Sequence, residues 1–451
     1  MVEKLQKTLR DSPVARWTAL GVVAFTMLCG YFLTEAMSPL KPLLEKELLW
    51  TSSEYGIFNS GYGWFNVFLF MLILGGIVLD KMGVRFTGLT SSFLMVAGVA
   101  VKYYAITTVF PADSLILGMK TQVILAGLGY AIFGVGIEIT GITVSKVIVK
   151  WFKGRELALA MGMEMATARL GSALALLFGI PLATNFSISM PILCGLILLC
   201  IGFISFTVYC VMDKKLEKSL PADTAKEDPF RPSDIMIIIR NKGFWLIAIL
   251  CLLFYSAVFP FFKYATDLVI HKYGVDPSFA GSIPSLLPLG TILLTPLFGN
   301  LYDRKGRGAS IMILGAIMLV IVHALFATPA FDHWIVAVIV TIILGVAFSL
   351  VPSAMWPSVP KIIPEKQLGT AYALIFWLQN IGIMGVPFLI GWVLDKYCKT
   401  TIGTEVHYDY TYPMMIFAGF GVLAVYFAFL LKAEDKKKGY GLESPNVKVK
   451  K

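Results

Sequence analysis

Gly76-Ile-Val-Leu-Asp80-Lys81-Met82-Gly83-Val-Arg85 and Gly299-Asn-Leu-Tyr-Asp303-Arg304-Lys305-Gly306-Arg307 share one pattern, GxxxD(K/R)xG. Each copy closes an apolar run and opens another, so each marks a charged turn between two long hydrophobic segments. A second set repeats with it: Gly134, Leu157, Ala160 and Gly171 match Gly345, Leu368, Ala371 and Gly382. The chain is therefore written twice, in parallel, as two halves.

Composition says which solvent surrounds those halves. Hydrophobic residues make up 57 % of the 451 residues and charged residues only 15 %. Counting Gly in place of Tyr, the apolar share is roughly 62 %, against about 45–50 % in a soluble domain. That leaves too little polar surface to cover soluble globules of this size, so the surroundings are lipid. A helix crosses a bilayer with about 20 apolar residues. Twelve such runs are predicted, at 17–37, 54–79, 86–107, 119–145, 156–182, 188–212, 241–265, 280–301, 309–327, 334–356, 366–394 and 412–432. The expected architecture is an all-α membrane protein of two six-helix bundles, 1–212 and 241–432. A charged linker over 213–240 joins them, and a basic tail over 433–451 follows.

The net charge of +10 does not form a nucleic-acid face. Its Lys and Arg lie in alternate connections and in both tails. They include Lys81 and Arg85, Lys146 and Lys150, Lys214 and Lys215, Arg304 and Arg307, and Lys436 to Lys438. Positive residues favour the cytoplasmic side, so both termini are expected there. Asn185-Phe186-Ser187 is a sequon on the opposite side, read as a chance match. The six cysteines and four histidines show no metal or disulfide spacing. No nucleophile or phosphate loop stands out. Neither an enzyme nor a cofactor or bound metal is expected.

Charges inside apolar runs carry the functional signal, because each costs about 2.5–3.5 kcal/mol at the bilayer centre without a partner. The candidates are Glu35, Glu138, Glu164, Arg169, Lys263 and Asp267. Lys263 and Asp267, four apart near the end of a span, read as a local ion pair at the outer surface. Arg169 lies roughly 20 Å into span 5 and Glu138 roughly 12 Å from the end of span 4. Both fall near mid-depth on consecutive antiparallel helices. A guanidinium grips a carboxylate with two parallel hydrogen bonds and a carboxylate accepts from an ammonium, so the pair suits a zwitterion. A mutual salt bridge is the purely structural alternative. The repeat carries Arg169 onto Asn380 and Glu138 onto Ser349, leaving charge in the first half. Trp356, between Pro352 and Pro357, is either a cavity wall or an interface anchor.

The doubled GxxxD(K/R)xG pattern, each copy between the second and third spans of a half, resembles the signature of the major facilitator superfamily. That resemblance implies alternating access and a cytoplasmic latch built on Gly76, Asp80, Gly83, Arg85, Gly299, Asp303, Arg304, Gly306 and Arg307. The glycines would permit a tight turn and close packing. Asp80 would face the start of span 11 near Glu365, and Asp303 the start of span 5 near Arg155. Within the superfamily, Trp151-Phe-Lys-Gly154-Arg-Glu156-Leu, Ala168-Arg169-Leu-Gly171-Ser172, Ala257-Val-Phe-Pro260-Phe261, Met355-Trp356-Pro357, Pro364-Glu365-Lys-Gln367-Leu-Gly369 and Gln379-Asn380-Ile-Gly382 are similar to the lysosomal dipeptide transporters. The resemblance implies that Glu138 meets a peptide amino group and Arg169 its carboxylate, with Trp356, Asn380 and Tyr31 lining the cavity. An organic-anion transporter with Arg169 as the anion site is the alternative. Glu164 stands where that group has a neutral amide, and with Glu35 it is a candidate to carry a coupling proton. The short tails show no sorting signal, so a bacterial inner membrane is expected. The chain is read as a monomer without an accessory subunit, taking a small-molecule substrate.

Overall fold

The computed structural model describes residues 9–111, 113–152, 156–219, 232–364, 367–402 and 405–446. Eleven of its helices are long and apolar enough to cross a membrane. The first half holds α1 (Pro13–Glu35), α2 (Lys41–Glu47), α3 (Ser52–Phe68), α4 (Met71–Thr107), a hairpin of β1 (Leu115–Ile116) and β2 (Met119–Lys120), α5 (Thr121–Phe152), α6 (Leu157–Asn185) and α7 (Met190–Ser219). A short α8 (Pro232–Ile239) leads into the second half. There follow α9 (Lys242–Tyr273), α10 (Ser282–Lys305), α11 (Gly308–Ala327), α12 (Trp334–Ile362), α13 (Leu368–Val393), a hairpin of β3 (Lys399–Ile402) and β4 (Glu405–Tyr408), and α14 (Thr411–Lys438).

Among the described residues twelve crossings result, because α4 holds the end of the second as well as the whole of the third. Gly83 breaks its helical path with φ +76°, and Gly306, its repeat partner, ends α10 with φ +70°. Positive φ of this kind suits a residue without Cβ, so the glycine has the same role in both patterned turns, although the second adds a left-handed Arg307 (φ 64°). The predicted run 54–79 is not one rod. It is interrupted at Leu69 and at Phe70, whose φ of 53° is left-handed. The second crossing is α3 followed by the first stretch of α4. The prolines of α12, at 352, 357 and 360, leave that helix unbroken.

The halves pack alike. Within the first, α1 lies on α6 and α3 on α5; within the second, α9 lies on α13 and α10 on α12. Between halves, α3 runs along α13 and α6 along α10. The repeated glycines make equivalent crossings close. A Cβ on Gly171 would meet the α1 backbone, with Phe32 N at 3.0 Å, and one on Gly382 would meet α9 at Leu252 O, 3.5 Å away. Small residues let membrane helices approach in this way. Gly76 and Gly299 differ from expectation: a Cβ at either meets nothing within 4 Å. In this conformation neither is a close-packing position among the described residues.

At the end that carries both termini, the segment after α14 folds back onto the turn between α10 and α11. Asn446 donates its side-chain amide to Asp303 Oδ1 (2.8 Å), and Arg307 N and Gly308 N donate to Glu443 O and Leu442 O. In the first half, Lys146 donates to Asp80 (2.8 Å), and Arg85 and Lys150 both hold Asp213 and Glu217.

Gly171→Leu forces a side chain into the α1 backbone, and overpacking of this kind costs roughly 1–3 kcal/mol. A lower melting temperature and a smaller monodisperse yield in detergent are expected. Gly419→Leu, which meets open space, should change neither. Equal melting temperatures for the two variants would remove the close crossing.

Candidate functional site

At the end opposite the termini, buried charges join the halves. Lys263 on α9 donates to Glu35 Oε2 (2.8 Å), to Thr34 O (2.7 Å) and to Tyr130 Oη (3.4 Å). One turn further along α9, the Asp267 carboxylate accepts from Lys41 of α2 (2.8 Å) and from the Tyr410 hydroxyl, and His271 Nδ1 lies 3.0 Å from the Asp267 backbone carbonyl. Lys41 also pairs with Glu45 (2.8 Å). Tyr55 donates to Lys263 O, and Asp395 accepts from the backbone N–H groups of Ser52 and Ser53 at the start of α3. The expected local pair between Lys263 and Asp267 does not form. Both are buried, at 6 % and 1 % exposure, because the end of α1 and the segment after it present Glu35 and Lys41 to them. Helical spacing allowed the local pair; the facing half offered each charge a partner of its own.

Beneath this closure lies a chamber of about 100 Å³. Glu138, Tyr31, Phe259, Gln379, Glu35 and Lys263 are among its walls. Glu138 accepts from Tyr62 Oη (2.8 Å). Asn380 approaches the same carboxylate, donates to Phe376 O and accepts from Asn66 of α3. A second cavity, a cleft of about 370 Å³ between α6, α10 and α12, runs from Arg169 to Asp303. Arg169 belongs to the cleft and Glu138 to the chamber.

Arg169 and Glu138 form no ion pair, so the salt-bridge alternative is not realised. The Arg169 guanidinium sits among aromatic faces, 4.8 Å from the Phe348 ring centre and 5.7 Å from those of Phe259 and Tyr31. Among the described residues it makes no hydrogen bond, although the group carries five donors. Phe348 continues into a stack: Tyr255 meets Phe348, Phe259 and Trp356, and Trp356 stacks on Phe376 at 4.9 Å. Trp356 donates to Tyr255 Oη (3.1 Å). It stands behind the cage rather than on the wall of either cavity.

Tyr31 and Phe259 form the partition between chamber and cleft. Tyr31 is one helical turn from Glu35 on α1, and Phe259 one turn from Lys263 on α9. Glu164 is part-exposed on α6 and makes no hydrogen bond or ion pair among the described residues. The latch partners expected near Glu365 and Arg155 lie outside the described residues. Asp303, reserved for that role, is held by Asn446.

Sequence reading missed Lys102 and Lys41. Lys102, 1 % exposed, lies under Tyr130 with its ammonium 4.8 Å from the ring centre and 3.4 Å from Leu33 O. Its signal, a lysine inside an apolar run, was present. Lys41 follows the first span and carried no signal of burial.

Removing one member of a buried ion pair costs about 3–5 kcal/mol because it strands the other charge. Lys263→Met and Glu35→Gln should each lower the melting temperature sharply, and the double variant should regain most of the loss. Additive losses would show that the two groups do not act as a pair.

A family model described as Major Facilitator Superfamily matches residues 23–387 and 264–449. The lysosomal dipeptide transporter MFSD1 of Danio rerio is 28 % identical over 397 residues, 84 % of this chain and 81 % of that protein. Its counterpart in Mus musculus is 26 % identical over 84 % of this chain and 80 % of its own length. Those names place the relatives in lysosomes of animals and lend no support to a bacterial inner membrane for this chain. Among solved structures, a bacterial homolog of the human lysosomal transporter Spinster, inward-facing and unoccupied, superposes with a TM-score of 0.69. It is 12 % identical, and the match covers 94 % of this chain and 98 % of that one.

Proposed function

The chain belongs to the Major Facilitator Superfamily, and on that premise we propose that this membrane transporter carries dipeptides, gripping the peptide amino group at Glu138 and the carboxylate at Arg169. The observation that carries this reading is the state of the Arg169 guanidinium. It faces a cleft with no described hydrogen bond or ion pair, set among ring faces and within electrostatic reach of Glu164. A carboxylate supplies two charge-assisted hydrogen bonds that aromatic rings cannot. Glu138, beyond the Tyr31–Phe259 partition, supplies the opposite charge. Two fixed charges of opposite sign measure the separation of substrate termini and ignore the side chains between them. The dipeptide transporter names of the relatives support the same class.

With the termini in the cytoplasm, as the Lys and Arg distribution favours, the far-end closure corresponds to an inward-facing state. The latch around Asp80 and Asp303 then belongs to the opposite, outward-facing state. Its glycines Gly76 and Gly299, open here, would pack when that end closes. The protein works in this reading as a monomer without an accessory subunit. Glu164, a carboxylate near Arg169 with no described hydrogen bond or ion pair, is the first candidate for a coupling proton, and Glu35, paired with Lys263, is the second.

The test is thermal stability of the purified protein with free, N-acetylated and C-amidated dipeptides and with dicarboxylates. A ligand that binds the folded state raises the melting temperature. Free dipeptides should stabilise and either blocked form should not. Arg169→Lys should weaken binding roughly 10–100-fold, the worth of one charge-assisted hydrogen bond of about 1.5–3 kcal/mol. Glu138→Gln should abolish the response to dipeptides. Stabilisation by dicarboxylates alone, surviving in Glu138→Gln, would replace the dipeptide reading with the organic-anion one.

Proton coupling is tested separately in proteoliposomes. An imposed pH gradient should drive uptake by the unaltered protein, and Glu164→Gln should abolish the response to the gradient. Uptake indifferent to the gradient in both would sink the coupling role.

A further inference from the structure

We propose that the two cavities impose unequal size limits on the two side chains of a bound dipeptide, excluding an aromatic first residue and admitting any second residue. The inference rests on the dipeptide reading above and adds a specificity that the pairing of charges alone does not contain. Glu138 lines only the chamber and Arg169 only the cleft. The Cα of a first residue is one bond from the amino group that Glu138 holds, so its side chain is confined to the chamber. The second side chain projects beside the carboxylate, into the cleft.

The volumes decide the outcome. A cavity of about 150 Å³ holds one benzene ring, and the chamber measures about 100 Å³. It takes a methyl or short branched side chain and not a phenyl or indole ring. The cleft, about 370 Å³, is already in the range of about 300–1,000 Å³ typical of small-molecule pockets. The chamber walls are also the less yielding. Tyr130 is clamped between Phe58, stacked at 5.2 Å, and Tyr62, edge-on at 5.4 Å, and Tyr62 is itself bonded to Glu138. At the closed end, the ammonium of Lys263 meets three protein acceptors and Glu35 accepts from both Lys263 and Ser38. The charges at that end are taken up by protein partners, so the chamber discriminates by volume rather than by charge. Ile137 and Ile383 supply the aliphatic part of its wall.

The experiment compares matched pairs on the full-length purified protein, by thermal shift and by competition against labelled Ala-Ala uptake in proteoliposomes. Ala-Phe and Ala-Trp should compete within about threefold of Ala-Ala; Phe-Ala and Trp-Ala should compete at least tenfold less well. Ile383→Ala should narrow the gap between Phe-Ala and Ala-Phe, read as a ratio within the variant so that a general loss of affinity cancels. Ile137→Val serves if Ile383→Ala does not fold. Equal competition by Phe-Ala and Ala-Phe, with Ala-Ala binding normally, would overturn the size limit and leave the dipeptide reading intact. Failure of Ala-Ala itself to bind would overturn both.

Discussion

Everything at the centre of this molecule hangs from two buried ion pairs. Glu35–Lys263 and Lys41–Asp267 bind the first half to the second at one end of the bundle. Taking each charge out of water costs several kcal/mol, and the mutual attraction does little more than repay it. Such pairs are poor sources of stability but strong constraints, because separating them in a dry interface strands two charges. Their separation must therefore coincide with the entry of water. That couples opening of this end to hydration and makes the intermediate state unfavourable. Arrangements between closed and open are thereby disfavoured, which is what a two-state switch requires. The pairs also fix the site. Tyr31 and Phe259, which hold Arg169 and divide chamber from cleft, each stand one helical turn from a member of the Glu35–Lys263 pair.

The two halves share a frame and differ in chemistry. Gly171 and Gly382 bring equivalent helices together, and Gly83 and Gly306 turn the chain in the same way. On that frame the first half carries Glu138 and Arg169, where the second has Ser349 and Asn380. Ser349 is turned back onto its own helix, donating to Gly345 O. Its neighbour Phe348 faces the partner half and takes the Arg169 guanidinium. Arg169 on one side of the seam is met by Phe348 and Phe259 from the other and by Tyr31 from its own. Two charged faces in apposition would bind each other; a charged face against an aromatic one stays exchangeable.

Much of this was legible in the sequence, for a reason that belongs to lipid. A chain in a bilayer must satisfy its backbone hydrogen bonds within each segment, so spans are local and their composition announces them. The repeat, the charged turns and the mid-depth charges Glu138 and Arg169 were all visible as local signals. What was not legible depended on the other half of the molecule. Lys263 and Asp267 have the spacing of a local pair, yet each takes a partner from a segment more than two hundred residues away in sequence. Lys41 resembled a loop residue because burial was supplied by α9 and the hairpin after α13. The interruption at Phe70 had no signal either, since a phenylalanine in left-handed backbone is held there by its surroundings, including a stack on Trp377 at 5.4 Å. Gly76 and Gly299 have the pattern of packing positions, and a single conformation leaves both open.

The aromatic cage around Arg169 also bears on how tightly a transporter of this design can hold its cargo. An arginine fixed by a carboxylate of its own would exact the full strength of that pair from any substrate that displaced it. An arginine bare in a dry cavity would be too costly to keep. Ring faces lie between these limits, each worth about 0.5–2 kcal/mol to a cation. A substrate carboxylate adds about 1.5–3 kcal/mol per charge-assisted hydrogen bond but gives up part of the cage contact when it binds. If Arg169 binds the substrate as proposed, the net gain is about a few kcal/mol, enough to select an anion and too little to trap it. A binding protein would gain from removing the rings. A carrier that must release its substrate on the far side of the membrane gains from keeping them.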